Sequence, residues 1–356
     1  MSIRGALTPD APLFDEVARR YDALLVMSFG GPEGPGDVAP FLSRVAAGLN
    51  IPAERLAVVA DHYHHFGGVS PLNGQNRALI AALRDDFAAH GLDLPIYLGN
   101  RNWHPLVADT IGKMRADGVR RALVFVTSVF SSYSGCRQYR EDILHASEEV
   151  GEGAPLFDKL RVFYNHPGFI EPMIERTREA LAGFAPEARA SVPVVFTAHS
   201  VPVAVARRSD YVAQLEEACR LVAAGAGRAD YRLVYQSRSG PPQMPWLEPD
   251  ILDHLREIRA GGAERVVVVP IGFMSDHMEV LFDLDTEARR VAGEIGLSLV
   301  RARTVGTHPA FVAMIRELVL ERMTARPERR FLGTRGPAPD ICPLDCCLRG
   351  EAGRPR

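Results

Sequence analysis

A chain of 356 residues is longer than one compact core ordinarily supports, since domains run to about 100–200 residues, so two domains are expected. Its 47% hydrophobic and 24% charged residues allow large cores, and a formal charge of -3 leaves no basic excess to neutralise phosphates. Nucleic acid is therefore set aside in favour of small molecules.

No run of 18 apolar residues occurs, and Met1 to Asp15 carries acidic residues and prolines where a leader needs an apolar stretch. A cytoplasmic protein with no transmembrane segment is expected, its cysteines kept reduced as metal ligands or core residues.

Short apolar runs alternating with amphipathic stretches read as parallel strands covered by helices. Four strands are expected at Ala23 to Phe29, Ile96 to Leu98, Ala122 to Thr127 and Val162 to Tyr164. Four more follow at Val192 to Ala198, Tyr231 to Gln236, Val266 to Ile271 and Leu297 to Arg301. Helical periodicity fills Arg77 to His90, Leu106 to Asp117, Ile170 to Leu181 and Tyr211 to Ala223. The fold class is α/β, with two doubly wound, Rossmann-like domains, each a four-stranded parallel sheet flanked by helices. The expected division is a flexible N-terminus over 1–20, domains over 21–185 and 186–308, a C-terminal helix over 309–323, and a linker with a cysteine-rich tail over 324–356.

Ligands of open α/β sheets sit beyond the carboxyl ends of the strands. His199 stands there, directly after a buried strand and before Val201-Pro202, where proline fixes the turn. A second strand-end loop opens a helix expected over Asp276 to Arg290, with Ser275 or Asp276 as its N-cap. At 100° per residue, Asp276, Glu279, Asp283 and Glu287 fall within an arc of roughly 80°. Like charges four residues apart cost about 0.2–0.5 kcal/mol per pair, so a helix tolerating this stripe is expected to carry cations or protons. A neutral imidazole facing a carboxylate suits both the binding of a borderline metal such as Fe²⁺ and the acceptance of protons from the ligand that the metal enters. Insertion of Fe²⁺ into a porphyrin, with loss of two pyrrole protons, needs both.

Thr197-Ala198-His199-Ser200-Val201-Pro202 and Ser275-Asp276-His277-Met278-Glu279-Val280-Leu281-Phe282-Asp283-Leu284-Asp285 resemble the two signature segments of the ferrochelatase family. Leu25 to Pro32, Gly67 to Leu72, and Tyr235-Gln236-Ser237-Arg238 with Pro245-Trp246 resemble further family blocks in the same order. The resemblance implies a porphyrin cleft between two lobes. It makes His199 and Glu279 the residues that bind iron and accept pyrrole protons, and Asp276, Asp283 and Glu287 an acidic trail leading from them. Ser70 and Tyr139 resemble porphyrin-contacting positions. Phe29 stands where several bacterial relatives have a tyrosine that can reach iron, and supplies only apolar packing.

Cys342, Cys346 and Cys347 cluster in a polar tail and Cys136 sits in a strand-end loop, whereas Cys219 lies on the apolar side of its helix. Four thiolates suit Zn²⁺ or a [2Fe–2S] cluster, and spacing leaves that choice open. The tail resembles that of actinobacterial ferrochelatases, which implies a structural [2Fe–2S] cluster on Cys136, Cys342, Cys346 and Cys347 that pins the tail. The same resemblance implies Fe²⁺ and coproporphyrin III as substrates, with protoporphyrin IX as the alternative and a downstream haem-pathway enzyme receiving the product. A non-catalytic tetrapyrrole or metal carrier is the reading from another class. Oligomeric state is not legible in the sequence.

Overall fold

A computed structural model describes residues 13–48, 51–240 and 243–349. The chain opens on β1 (Ala23–Ser28), whose six residues are all buried, as a strand covered on both faces requires. A helical pair, α1 (Val38–Val45) and α2 (Ala53–His65), precedes α3 (Leu72–Ala89) and β2 (Ile96–Asn100). Then come α4 (Val107–Ala116), β3 (Arg121–Val126), α5 (Gln138–Val150) and β4 (Leu156–Lys159). The strands form one parallel sheet in the order β2-β1-β3-β4.

Helix α6 (Pro167–Ala182) and a short turn α7 (Pro186–Arg189) lead to β5 (Val194–His199). The second half continues with α8 (Val203–Ala206), α9 (Tyr211–Gly225), β6 (Tyr231–Gln236), α10 (Ile251–Ala260) and β7 (Arg265–Val269). It ends with α11 (Met278–Val280), a π-helical segment over Leu281–Ala288, α12 (Arg289–Glu294), β8 (Ser298–Arg301) and α13 (Pro309–Met323). Its sheet is also parallel and runs β6-β5-β7-β8, the order of the first sheet repeated.

Seven of the eight expected strands lie where the apolar runs place them; the fourth does not. Val162 to Tyr164 is buried but irregular, and the edge strand is the less apolar Leu156–Lys159, in register with Arg121 to Val124. Only Phe157 of this edge strand is buried, so its sequence carries a weak signal. The apolar run beyond it serves the core as loop.

Successive residues of β1 supply opposite faces: Leu24 and Val26 pack inward, Ala23, Leu25 and Met27 outward. The inward layer is continuous from one sheet to the other. Leu24, Phe125, Phe196 and Val269 belong to a single cluster joined by Phe169 and Met173 of α6, Leu215 of α9 and Phe311 of α13. A separate small cluster, Val38, Phe41 and Leu42 with Val59 and Tyr63, unites α1 and α2.

Residues 13–19, within the stretch expected to be flexible, are clasped to α13 and to the strap that follows it, residues 324–349. Asp15 meets Arg19 at 2.8 Å and Arg322 at 3.3 Å. Arg329 reaches Glu16 at 2.9 Å and the buried Asp340 at 2.7 Å. The strap itself is fastened by Asn165 to the carbonyls of Leu332 and Gly336, and by Glu217 to the Thr334 N–H. Residues 1–12 and 350–356, at the ends of the expected N-terminal and tail segments, lie outside the described residues.

Candidate active site and thiol cluster

His199 is the last residue of β5, at the carboxyl edge of the second sheet. Gly272, after β7, lets the neighbouring loop press against this strand end; a Cβ there would come within 2.7 Å of Ala198 Cα. The His199 Nδ1–H donates to the Ser200 carbonyl, and the Tyr211 hydroxyl donates to the His199 carbonyl at 2.9 Å. These bonds fix the ring with Nε2 turned outward.

Nε2 faces Glu279 Oε1 at 3.4 Å. Glu279 lies one residue inside α11, capped neither by Ser275 nor by Asp276 but by His277, whose Nδ1 accepts the Glu279 N–H at 3.2 Å. An imidazole takes the cap because Asp276 is drawn away. Its carboxylate meets Arg301 Nη1 at 3.0 Å, while Arg301 clamps Asp285 with two bonds at 2.8 and 2.7 Å. Asp276 therefore leaves the acidic trail expected of it, neutralised by the last residue of β8.

The expectation of a neutral imidazole is also corrected. Burial pulls the His199 pKa down, but the facing Glu279 carboxylate, the Ser200 carbonyl and Asp283 raise it to about 9. Burial pushes Glu279 up, and His199 and His277 outweigh it, leaving Glu279 at about 2. The two form an ion pair at neutral pH. The side chains are 33% and 46% exposed, so water screens part of this attraction.

The helix after Glu279 is not the regular α-helix expected. Leu281–Ala288 is π-helical, and the Thr286 hydroxyl donates to the Leu281 carbonyl five residues back. Such segments are rare and concentrate at functional sites. Asp283 accepts from the Ser237 hydroxyl and from Gln236 Nε2 at 3.3 Å. Burial raises its pKa to about 7; the Ser237 bond opposes this, while Glu279 and Glu287 add to it. Glu287 is raised too, by burial first and by Asp250. The repulsion along the stripe is thus relieved by a proton. Gln236 and Ser237 belong to one of the blocks that resemble the family's, and Ser237 adopts a left-handed backbone (φ 61°) that costs a non-glycine residue roughly 1–2 kcal/mol.

The first half of the chain supplies the opposing wall. His62 of α2 stacks on Phe282 with ring centroids 3.6 Å apart, and the Tyr63 hydroxyl, held neutral by burial and by Glu279, lies toward the carboxylate. Phe29, 36% exposed, meets Phe41 edge-on at 6.2 Å, and Phe41 meets Tyr63 and Trp103. Ser70 is buried against Gly31, where a Cβ would come 2.6 Å from its hydroxyl. Tyr139 does not open onto the cleft. It is 5% exposed, packed in the outer core of the first sheet beneath the Arg101 guanidinium, which also lies over Phe29. No sequence signal marked His62, Tyr63 or Arg101, because their partners are distant in the chain.

The thiols gather elsewhere. Cys136 sits on a second π-helical turn, Tyr133–Arg137, and the tail brings Cys342, Cys346 and Cys347 to it. Each thiol contacts two others in a ring: Cys136 with Cys342 and Cys347, and Cys346 with the same two. The shared hydrogen bonds hold Cys136 and Cys346 low and push Cys342 and Cys347 up. All four are free of disulfides, as is Cys219, fully buried in the core. Arg137 donates to the carbonyls of Leu344 and Cys346 at 2.7 and 3.0 Å, and Arg140 reaches Cys346 Sγ at 3.6 Å. Among the described residues no set of three or more His, Cys, Asp or Glu side chains is already spaced as a coordination shell. Number and softness of the donors nevertheless fit a four-thiolate centre. Nor is any helix among the described residues long and apolar enough to cross a membrane.

Two repeated parallel sheets, with a histidine and a carboxylate opposed at the carboxyl edge of the second, form a chelatase-type fold. A multi-domain protein of Deinococcus radiodurans, described as structurally similar to chelatases, superposes with a TM-score of 0.51 at 16% identity, over 87% of this chain and 56% of that one, so the chain spans about half of its length. SirB from Bacillus subtilis superposes with a TM-score of 0.50 at 11% identity, over 84% of this chain and 96% of that one. The chain belongs to the ferrochelatase family, whose model matches residues 21–323. A ferrochelatase of Rhodopirellula baltica is 57% identical over 92% of this chain and 93% of its own. The coproporphyrin III ferrochelatase of Streptomyces griseus is 52% identical over the same shares, and that of Streptomyces coelicolor 52% identical over 93% and 94%.

Proposed function

We propose that the protein inserts Fe²⁺ into coproporphyrin III, giving iron coproporphyrin for haem synthesis. The observation that carries this reading is the facing pair His199 and Glu279, in a chain about half identical to proteins named coproporphyrin III ferrochelatase. Insertion forms four Fe–N bonds and releases two pyrrole protons. Glu279, ionised across the working range, draws Fe²⁺ to the site. The arriving dication disfavours the imidazolium, so His199 gives up its proton and then has a lone pair for the metal or for a pyrrole proton. Asp283, titrating at about 7, is the adjacent carboxylate able to take up and release protons at neutral pH, with Glu287 beyond it. Phe29, Tyr63 and Trp103, backed by the buried Phe41, offer the apolar wall against which a macrocycle packs.

Cys136, Cys342, Cys346 and Cys347 would hold a [2Fe–2S] cluster, which supplies a structural cross-link, since inserting ferrous iron involves no redox step. Zn²⁺ would take the same ligands. Visible absorption and acid-labile sulfide in the purified protein separate the two, and a Cys342→Ser variant that keeps the absorption removes that residue from the ligand set.

The activity is tested by mixing protein, Fe²⁺ and porphyrin anaerobically and following the loss of free-porphyrin fluorescence. Coproporphyrin III is expected to react faster than protoporphyrin IX. The reverse order would assign the other substrate, and no rate above the protein-free control with either would leave a carrier.

A further inference from the structure

Ser237 follows β6 with φ at 61°, a conformation that strains any side chain and that glycine adopts freely. A serine placed in a turn for its own sake bonds its neighbouring backbone. Here the hydroxyl donates instead to Asp283 Oδ2, 46 residues further along the chain. The residue before it serves the same joint. The Gln236 carbonyl accepts the Ser200 N–H at 2.8 Å, beside His199, while its amide donates to the Glu279 carbonyl at 3.0 Å and to Asp283 at 3.3 Å. The end of β6 therefore touches the backbone next to one member of the reacting pair, the backbone of the other, and the carboxylate behind them.

We infer that Ser237 is a positioning residue for metal insertion: its hydroxyl, held out by a strained backbone, aims the Asp283 carboxylate at the pair His199 and Glu279. The inference rests on the reading of the site given above. It explains why a position suited to glycine carries a serine.

Glycine separates the two roles, because Ser237→Gly removes the hydroxyl while relieving the backbone. In the full-length protein this variant is expected to keep or raise the thermal midpoint, to lower kcat for Fe²⁺ insertion about tenfold, and to leave KM for the porphyrin within about twofold. Asp283→Asn is expected to lose activity comparably, and adding Ser237→Gly to it to change kcat no further, as for two groups acting through one interaction. Wild-type kcat in Ser237→Gly, a midpoint falling in step with kcat, or losses that multiply in the double variant would each overturn the inference. An inactive wild-type protein would instead strike at the proposed function itself.

Discussion

Gln75 grips the peptide groups of Asp276 from both sides, its Nε2 donating to the Asp276 carbonyl at 2.7 Å and its Oε1 accepting the Asp276 N–H at 2.9 Å. A side chain of α3 in the first half thereby fixes the loop three residues before Glu279 in the second. Gln75→Leu loses both bonds and is expected to destabilise the protein by about 1–3 kcal/mol in urea unfolding. Amide exchange should quicken over residues 275–280 and stay unchanged in β5. Uniform exchange in the variant would show that the clamp is redundant.

His199→Ala and Glu279→Gln are each expected to cut iron insertion by about 10²-fold or more, the scale of a lost acid–base or ligating group. Porphyrin binding, followed by fluorescence quenching, should persist in both, because the aromatic wall belongs to other residues.

The site titrates with a definite sign. His199 is raised from 6.5 to about 9, so its contribution to stability is complete below pH 6.5 and lost as pH rises through 9. Glu279 is lowered from 4.5 to about 2, so its contribution is complete above pH 4.5 and lost as pH falls through 2. Both hold together between about pH 4.5 and 6.5. The thermal midpoint of Glu279→Gln should trail the wild type most in that window and approach it above pH 9. Asp283 behaves oppositely, since its raised pKa makes ionisation costly in the folded protein between pH 3.8 and about 7. Asp283→Asn should match the wild type at acidic pH and exceed it in stability at pH 8; a variant less stable at pH 8 would contradict the burial of that charge.

The strap is tied down ahead of its cysteines. Asp340, with a side chain 1% exposed, pairs with Arg329 and faces Arg322 at 3.7 Å. In Cys346→Ser, limited proteolysis should cut beyond residue 341 and spare 326–340. Cleavage throughout 326–349 would mean that the thiols alone hold the strap, as the sequence by itself suggests.

Asp340→Ala removes the buried carboxylate shared by Arg329 and Arg322, which keep Glu16 and Asp15, and is expected to cost about 1–3 kcal/mol of stability, measured by denaturant unfolding. Replacing the exposed Glu16, which meets the rim of the same network, should cost less than about 1 kcal/mol.

Apolar runs such as Leu24 to Met27 and Val266 to Val269 made both sheets legible, because strands covered on both faces leave no polar residue to blur them. His199 and Glu279 were legible through strand-end position and family resemblance. What the sequence hid has a common cause in distance along the chain. Arg301 removes Asp276 from the stripe across 25 residues, Gln75 reaches the same loop across 201, and nothing in the local pattern of Leu281–Ala288 distinguishes i→i+5 from i→i+4 bonding. The protonated state of His199 was hidden for the same reason, because it depends on a carboxylate 80 residues away.

The unbroken apolar layer running from Leu24 through Phe169 and Phe311 to Val269 acts as a spine, and a spine does not bend at the middle. The pair α1 and α2 keeps a small core of its own apart from that layer, and its hold on the far side includes the stacked rings of His62 and Phe282. A substitution at Val38 or Leu42 is thus expected to loosen α1 and α2 while leaving the layer between the two sheets intact.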